Sequence, residues 1–256
     1  MVKDRVFAIQ EVGGTTSTQD VVRAAARSGA AEGFCCLALE QSAGRGRLGR
    51  PWLAPPGTAL LASVLLRVAE AAAPGVPFAA GLALHDALAE TAGLETKLKW
   101  PNDVLAGGGK LAGLLAEVCP EAATPGQVAL IVGAGVNLTL PAFPDGVHGM
   151  SLHRLVARPP DRRTLLDAWL QRLHSRTRQL EHAGLAEVLE PWRQCATGIG
   201  GPVRVTLPGG VVEGVAAGVR DDGALLVKTR EGVIAVVAGD VNLLEPHESS
   251  TNMRLP

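Results

Sequence analysis

Apolar positions along this chain recur in two rhythms, one near a helical turn and one suited to strands, and their succession predicts the elements. Thr15 to Gly29 reads as a capped helix, in which Ser17 and Asp20 approach the capping-box spacing, an alanine-rich stretch follows and Gly29 closes the end. Phe34 to Gln41 is a strand, and a glycine- and arginine-rich loop, Gly44 to Arg50, comes after it. Thr58 to Val68 is a near-continuous apolar run of the kind a doubly covered strand requires. Pro77 to Ala92 predicts a second helix, and Lys97 to Trp100 alternates as a half-buried strand does. Gly107-Gly108-Gly109 is a turn between two short apolar runs, so a hairpin is expected with Lys110 opening its second strand. Val128 to Leu138 is a further strand. Pro141 to Pro160, rich in Pro and Gly, reads as a long loop of a length that usually carries function. Asp161 to His182 is the longest helix, with Leu165, Leu166, Trp169, Leu173 and Leu180 near one face.

The rhythm changes near Gly198. From there to Leu244, short runs of Val and Leu are broken by Pro208-Gly209-Gly210, Asp221-Asp222-Gly223 and Glu231-Gly232, which predicts a small antiparallel barrel. The fold class is therefore α+β: a large domain with a mixed β-sheet flanked by helices over residues 1–195, a small C-terminal β-barrel over 196–247, and a disordered polar tail over 248–256.

Composition removes several classes of function. With 256 residues, of which 47% are hydrophobic and 19% charged, the chain is long enough for one large and one small core. A formal net charge of -1 supplies no global attraction to nucleic acid or anionic membrane, so any anion site must be a local cluster of Lys and Arg. The first ten residues include Lys3, Asp4 and Arg5 and hold no signal-peptide apolar run, and no stretch is apolar enough to span a bilayer. Cys35, Cys36, Cys119 and Cys195 form no CxxC pair, and the histidines are scattered, so reduced, packed thiols in a cytoplasmic protein are expected, and no zinc site. Cys35 and Cys36, adjacent in a strand, should point to opposite faces.

The densest chemistry lies in Gly44-Arg45-Gly46-Arg47-Leu48-Gly49-Arg50-Pro51-Trp52, where three arginines within six residues sit on a backbone that glycine lets approach a ligand. Guanidinium forks so placed suit carboxylate and phosphate together; a solvated basic loop is the plainer alternative. The run also spells GxGxxG, but Pro51, Pro55 and Pro56 follow where a helix should begin, and no strand with an acidic end lies about 20 residues later. Lys99-Trp100-Pro101-Asn102-Asp103 places an amide and a carboxylate in a turn at a strand end, where they could meet a nucleotide or its Mg²⁺ or be ordinary turn residues. Gly109-Lys110 is not a P-loop, because Val104 stands where a glycine is needed and Leu111 where a hydroxyl is needed. Gly133-Ala-Gly135-Val-Asn137-Leu is a third glycine-rich strand end.

In this order the motifs resemble those of biotin–protein ligases, over nearly the whole chain from Thr15 to about Pro246. Gly44 to Trp52 looks like that family's biotin-binding loop, Lys99 to Asp103 like its KWPND motif, Lys110 to Glu117 like its KLAG motif and Gly133 to Leu138 like its GxGxN motif. Asp221 to Val227 resembles its small, SH3-like C-terminal barrel. The resemblance implies that Ser17, Thr18 and Gln41 hold biotin's ureido ring and tail, and that Gly44, Arg45 and Gly113 line the biotin site. Arg47 and Arg50 would face phosphates and adenylate, and Lys110 would stand between biotin's carboxylate and the α-phosphate of ATP, making Lys110 and Arg47 the catalytic pair. Asn102, Asp103 and Asn137 would meet the nucleotide, Asp103 also Mg²⁺, and Trp52 would lie along the adenine. Gln19 departs from the family pattern, which often has Asn there.

The implied reaction activates a carboxylate, a poor acyl donor, by joining it to AMP, a good leaving group. Two anions must be brought together, so cationic positioning is the main requirement and no nucleophilic Ser or Cys is needed. The adenylate hydrolyses readily, which makes the 44–50 and 141–160 loops candidate lids. The implied substrates are biotin and ATP with Mg²⁺, the implied partner is a biotin carboxyl carrier protein, and a homodimer is implied as well. The competing expectations are a lipoate/octanoate–protein ligase or transferase of the same fold, and a biotin-sensing repressor. For the latter, only about 14 residues precede the first motif, too few for a three-helix DNA-binding module.

Overall fold

A computed structural model of the chain describes residues 7–144 and 146–244, and two compact units meet between Ala196 and Thr197. The tail expected from 248 to 256 lies outside the described residues. The first unit is built on β1 (Ala8–Thr15), β2 (Phe34–Gln41), β3 (Ala59–Ala69), β4 (Lys97–Lys99), β5 (Asp103–Ala106), β6 (Gly109–Val118) and β7 (Gln127–Asn137). Their order in the sheet is β1-β2-β3-β7-β6-β5-β4, with β1 and β2 parallel and every other neighbouring pair antiparallel, so the sheet is mixed. Its helices are α1 (Thr18–Arg27), α2 (Val76–Ala92), α3 (Arg162–Ala183) and α4 (Leu185–Cys195).

β3 and β7 form the centre, paired along eleven residues from Ala59↔Asn137 to Ala69↔Gln127. Helices cover both faces here, which is why β3 is apolar at nearly every position. Val22 and Ala26 of α1 pack with Cys36, Leu65 and Ile131 on one face, while α3 packs against β3 and α2 against β4, β5 and β6. The adjacent cysteines register the two faces: Cys36 lies under α1, whereas Cys35 feels the charges of Arg163 and Asp167 on α3. Both thiols are free and buried, and burial raises both, Cys36 to about 11, so neither is a thiolate at neutral pH. Each Leu fully buried on these faces contributes about 2 kcal/mol of apolar burial.

Two elements escape the hydrophobic pattern. β1 is an edge strand with only scattered half-buried positions and carries Gly13-Gly14, which weakens any strand signal. α4 contains Pro191, a residue that argues against a helix interior. α1 also starts at Thr18 rather than Thr15, because Thr15 is the last residue of β1. Ser17 is its N-cap residue but makes no side-chain capping bond, and Asp20 is engaged elsewhere, so the expected capping box does not form.

The second unit is all β: β8 (Pro202–Leu207), β9 (Gly210–Val219), β10 (Leu225–Lys228), β11 (Val233–Val236) and β12 (Asp240–Leu243). The order β11-β10-β9-β8-β12 is antiparallel throughout and surrounds a small core that includes Val203, Val205, Leu225, Val227 and Val241. In the Asp-Gly turn between β9 and β10, Arg220 pairs with Asp222 and lowers that carboxyl to about 2.

Candidate active site

The site lies on the sheet face shared with α1. At one end, the last residue of β2, Gln41, uses its Oε1 to accept from the backbone N–H of Thr18 at 2.7 Å and from the Thr18 hydroxyl at 3.0 Å. Gln41 thus supplies the cap that Ser17 does not, satisfying one of the orphan donors at a helix start. Thr18 Oγ1 also lies 2.7 Å from Ser63 Oγ on β3, and since the threonine proton is spent on Gln41, Ser63 must be the donor. The chain runs Ser63 to Thr18 to Gln41, with both hydroxyls buried, and leaves the Gln41 amide with its NH₂ turned toward the loop. A Cβ on Gly44 would stand 2.9 Å from that Nε2 and 2.6 Å from the Trp52 carbonyl, so this glycine is required by close approach. Beside the chain, Gln19 Nε2 donates to the Leu115 carbonyl, while Gln19 Oε1 is buried and has no hydrogen-bond partner among the described residues.

The segment from Gly44 to Trp52 is a miniature hairpin rather than an open loop. Gly46 N donates to Arg50 O, Trp52 N donates to Gly44 O, and Arg45 faces Pro51 as an antiparallel bridge. Arg50 N closes the turn on Arg47 O, with Leu48 (φ 56°) and Gly49 (φ 73°) both left-handed, the conformation that suits a two-residue hairpin. Each arm is pinned to the domain in its own way. Arg45 gives two hydrogen bonds to Asp20 of α1, at 2.7 and 3.0 Å, and lies 4.0 Å from Glu117 of β6. This pairing holds the Asp20 carboxyl below the usual range and raises the Arg45 guanidinium. Trp52, on the other arm, rests its ring over Gly113 and Gly135, where added Cβ atoms would lie 3.1 and 2.5 Å from it. Its Nε1 is buried with no partner among the described residues. Between the pins, Arg47 reaches Asn102 Oδ1 at 3.5 Å, and Arg50 is exposed at the hairpin's outer end.

The charged end is assembled by β4, β5 and β6. In a regular strand Lys110 and Gly113, three residues apart, would face opposite sides. A bulge intervenes: Val104 pairs with Ala112 but Leu105 pairs with Lys110, leaving Leu111 as the extra residue. Lys110 consequently lies over Gly113, 5.7 Å from the Trp52 ring centroid, and its Nζ is 2.6 Å from Asp103 Oδ1. Lys99 Nζ holds the other Asp103 oxygen at 3.3 Å. Asp103 opens β5 rather than sitting in the preceding turn, which consists of Trp100, Pro101 and Asn102. Asn102 donates from Nδ2 to Leu114 O at 2.7 Å, which fixes its Oδ1 toward Arg47.

Asn137, at the end of β7, is buried and donates to the carbonyls of Lys110 and Met150. Lys110 N donates to His148 O and Met150 N to Lys110 O, so the 148–150 stretch runs beside β6. Ser151 and Leu152 are buried as well. The middle of the 141–160 segment is therefore tied to Lys110 by backbone hydrogen bonds.

Ser63, Asp20, Lys99 and Gln19 join the site without having been assigned a role in it from the sequence. Ser63 left a signal as a polar residue inside the apolar run of β3, and Lys99 as the first residue of the KWPND-like motif. A metal ion is not caged here: among the described residues no three His, Cys, Asp or Glu side chains gather to hold one. Asp103, already shared by two ammonium groups, fits Mg²⁺ only as a secondary partner of an ion carried on nucleotide phosphates, the usual mode for that ion.

Sequence comparison matches residues 14–137 to the Biotin/lipoate A/B protein ligase family and residues 198–244 to the Biotin protein ligase C terminal domain. The chain is 38% identical over 235 residues to a biotin–[acetyl-CoA-carboxylase] ligase of Mycobacterium tuberculosis, covering 89% of this chain and 85% of the relative. A protein with the same description from Paracoccus denitrificans is 35% identical, covering 80% of this chain and 88% of its own. Among solved structures, the biotin protein ligase from Aquifex aeolicus in complex with biotin and ATP superposes with a TM-score of 0.77 at 26% identity, covering 92% of this chain and 98% of that one.

Proposed function

The chain belongs to the biotin/lipoate A/B protein ligase family, and from that premise we propose that it joins biotin to AMP and passes the biotinyl group to one lysine of a biotin carboxyl carrier protein. The observation that carries the reading is Lys110, which the β6 bulge turns over Gly113 and beside Trp52, an arm of the same hairpin that holds Arg47. The C-terminal match to biotin protein ligases favours biotin over lipoate or octanoate as the acid.

In this reading the ring of biotin meets the neutral end. Ser17, Thr18, Gln41, Gly44 and Gly113 line it; the Thr18 hydroxyl can only accept and the Gln41 amide can only donate, a polarity that suits a cyclic urea, which offers both N–H and C=O groups. Arg45 shapes this wall through its hold on Asp20. A biotin carboxylate oxygen attacks the α-phosphorus of ATP, the bond to pyrophosphate breaks, and biotinyl-AMP forms. Lys110 stands between the two anions and, with Arg47, stabilises charge developing at phosphorus. To do so it exchanges its bond to Asp103 for the substrates, and Lys99 keeps that carboxylate neutralised. Arg50, Asn102, Asn137 and Trp52 complete the nucleotide side, Asn137 by holding the Lys110 backbone. Mg²⁺ brought with the nucleotide would supply further charge neutralisation, and Asp103 is the residue that would help hold it. In the second step the ε-amino group of the carrier lysine attacks the acyl carbon and AMP leaves. No residue of the chain becomes covalently linked.

We place the protein in the cytoplasm, acting as a homodimer on a carrier and not on DNA. The near-neutral net charge and the four free cysteines, three of them buried, support the assignments to the cytoplasm and away from DNA, and among the described residues no helix is long and apolar enough to cross a membrane. The test is ATP–pyrophosphate exchange in the presence of each acid. Exchange stimulated by biotin and not by lipoate or octanoate is expected; stimulation by a fatty acid or lipoate alone would move the chain to the sister activity.

A further inference from the structure

We propose that Asp20 is a positioning residue of the reaction: its carboxylate latches the Gly44–Trp52 hairpin through Arg45 and so sets how long the activated acyl group is retained. The inference rests on the ligase reading for the identity of what is retained, but on geometry for the latch itself.

The hairpin is tied to the domain at several points, Arg47 to Asn102 Oδ1 at 3.5 Å among them, and the ties differ in strength. Its own bonds, Gly46 N to Arg50 O and Trp52 N to Gly44 O, hold the arms to each other and not to the domain. Toward the domain, the Trp52 arm is fixed by shape, over glycines 113 and 135. On the other arm, the two parallel hydrogen bonds from Arg45 to Asp20 are the strong, directional link, because a planar fork matched to a carboxylate resists both sliding and rotation. Asp20 is in turn braced: Thr16 Oγ1 donates to its Oδ2, and it stands in the first turn of α1, where the helix dipole favours a carboxylate. Arg45 also stands 4.0 Å from Glu117, which Arg23 holds at 3.2 Å, so the fork is offered a second, longer-range carboxylate if it swings. α1 begins with Thr18, the centre of the neutral hydrogen-bond chain, two residues before Asp20. The latch thus ties the hairpin that carries Arg47 to the same helix start that lines the ring end of the site, so opening the hairpin and loosening the site become one event. Arg45 then acts through placement of the loop rather than by its own contact with substrate.

The pair is partly exposed, with side-chain exposures of 35% and 43%, so its loss should cost a modest factor rather than the reaction. Asp20→Asn is expected to raise the rate of biotinyl-AMP release about fivefold, with the rate of adenylate formation at saturating substrate within about twofold of the parent. Asp20→Glu should recover much of the retention. Arg45→Gln should raise adenylate release as much as Asp20→Asn does, and the double variant should release no faster than either alone, since both remove one interaction. Amide exchange in the ligand-free protein supplies a readout independent of activity: the Gly46 and Trp52 amides should exchange faster in Asp20→Asn while those of the β3–β7 ladder do not change. Release and exchange equal to the parent would overturn the latch, as would multiplicative effects of the two substitutions. A parent protein that forms no adenylate, yet whose hairpin amides respond to Asp20→Asn, would overturn the ligase reading and leave the latch standing.

Discussion

At the α1 end of the site buried Ser63 and Thr18 and half-buried Gln41 are joined by neutral hydrogen bonds, whereas at the β6 end Lys99, Asp103 and Lys110 are joined by ion pairs, with Lys110 a third exposed. The neutral chain has one direction. Reversing it would leave a buried hydroxyl or amide without a partner, which costs about 1–3 kcal/mol per group. The ionic triad has no such constraint, because Asp103 keeps Lys99 when Lys110 departs, and water can reach the lysine. One end is therefore built to hold a fixed pattern of donors and acceptors, and the other to change partners during a reaction.

The comparison can be broken from either side. Removing the mobile charge should have the largest effect. Lys110→Ala is expected to slow adenylation by about 100- to 1000-fold, the usual loss for one preorganised charge-stabilising donor, with the thermal midpoint little changed because the side chain crosses the surface of the strand. An adenylation rate within tenfold of the parent, measured by rapid quench, would remove Lys110 from its role. Thr18→Val keeps the shape and deletes the centre of the neutral chain, leaving Ser63 and half of Gln41 unsatisfied. It should lower unfolding stability by about 1–3 kcal/mol and raise KM for biotin more than that for ATP, as seen by urea titration and steady-state kinetics. Equal effects on both substrates would mean that this end does not face the ring.

Gly135→Ala sharpens the boundary between the ends. Its Cβ would stand 2.5 Å from the Trp52 ring, so the ring and the hairpin arm behind it must shift. We expect about a tenfold loss in kcat/KM, the scale of a modest overpacking strain, together with altered Trp fluorescence. Unchanged emission and kinetics would show that the ring is not seated on this glycine.

The smallest effect concerns acidity. Arg45 lowers the folded carboxyl of Asp20, so this ion pair contributes fully above the ordinary carboxylate range and fades only as pH falls through the lowered value. Adenylate retention should therefore be insensitive to this group between about pH 6 and 8 and weaken only in acid. A decline in retention centred near neutrality would assign the loss to a different group.

The centre of this fold was legible in the sequence because burial on both faces writes itself as a continuous apolar run, as in β3, and because glycine punctuates the hairpin between β5 and β6. β1 was not legible, since an edge strand buries little and its glycines obscure the alternation. α4 was hidden by Pro191. In the site, Lys110, Gly113 and Arg47 stood out by motif, but their meeting depends on the β6 bulge, and a one-residue bulge has no signature of its own in a short apolar strand. Asp20 looked like part of a helix cap because the spacing fitted. Its real partner lies 25 positions away, beyond anything local pattern can express. The 141–160 segment read as a candidate lid because it lacks periodicity, and its backbone bonds to Lys110 and the burial of Leu152 leave no local pattern to read.

The central claim is transfer to a protein lysine, and it is tested most directly by weighing the acceptor. A purified biotin carboxyl carrier domain would be incubated with this protein, biotin, ATP and Mg²⁺, and its intact mass and peptide map measured. One biotin adduct, confined to a single lysine and absent without ATP, is the predicted result. An unmodified carrier, or one modified only when lipoate or octanoate replaces biotin, would contradict it.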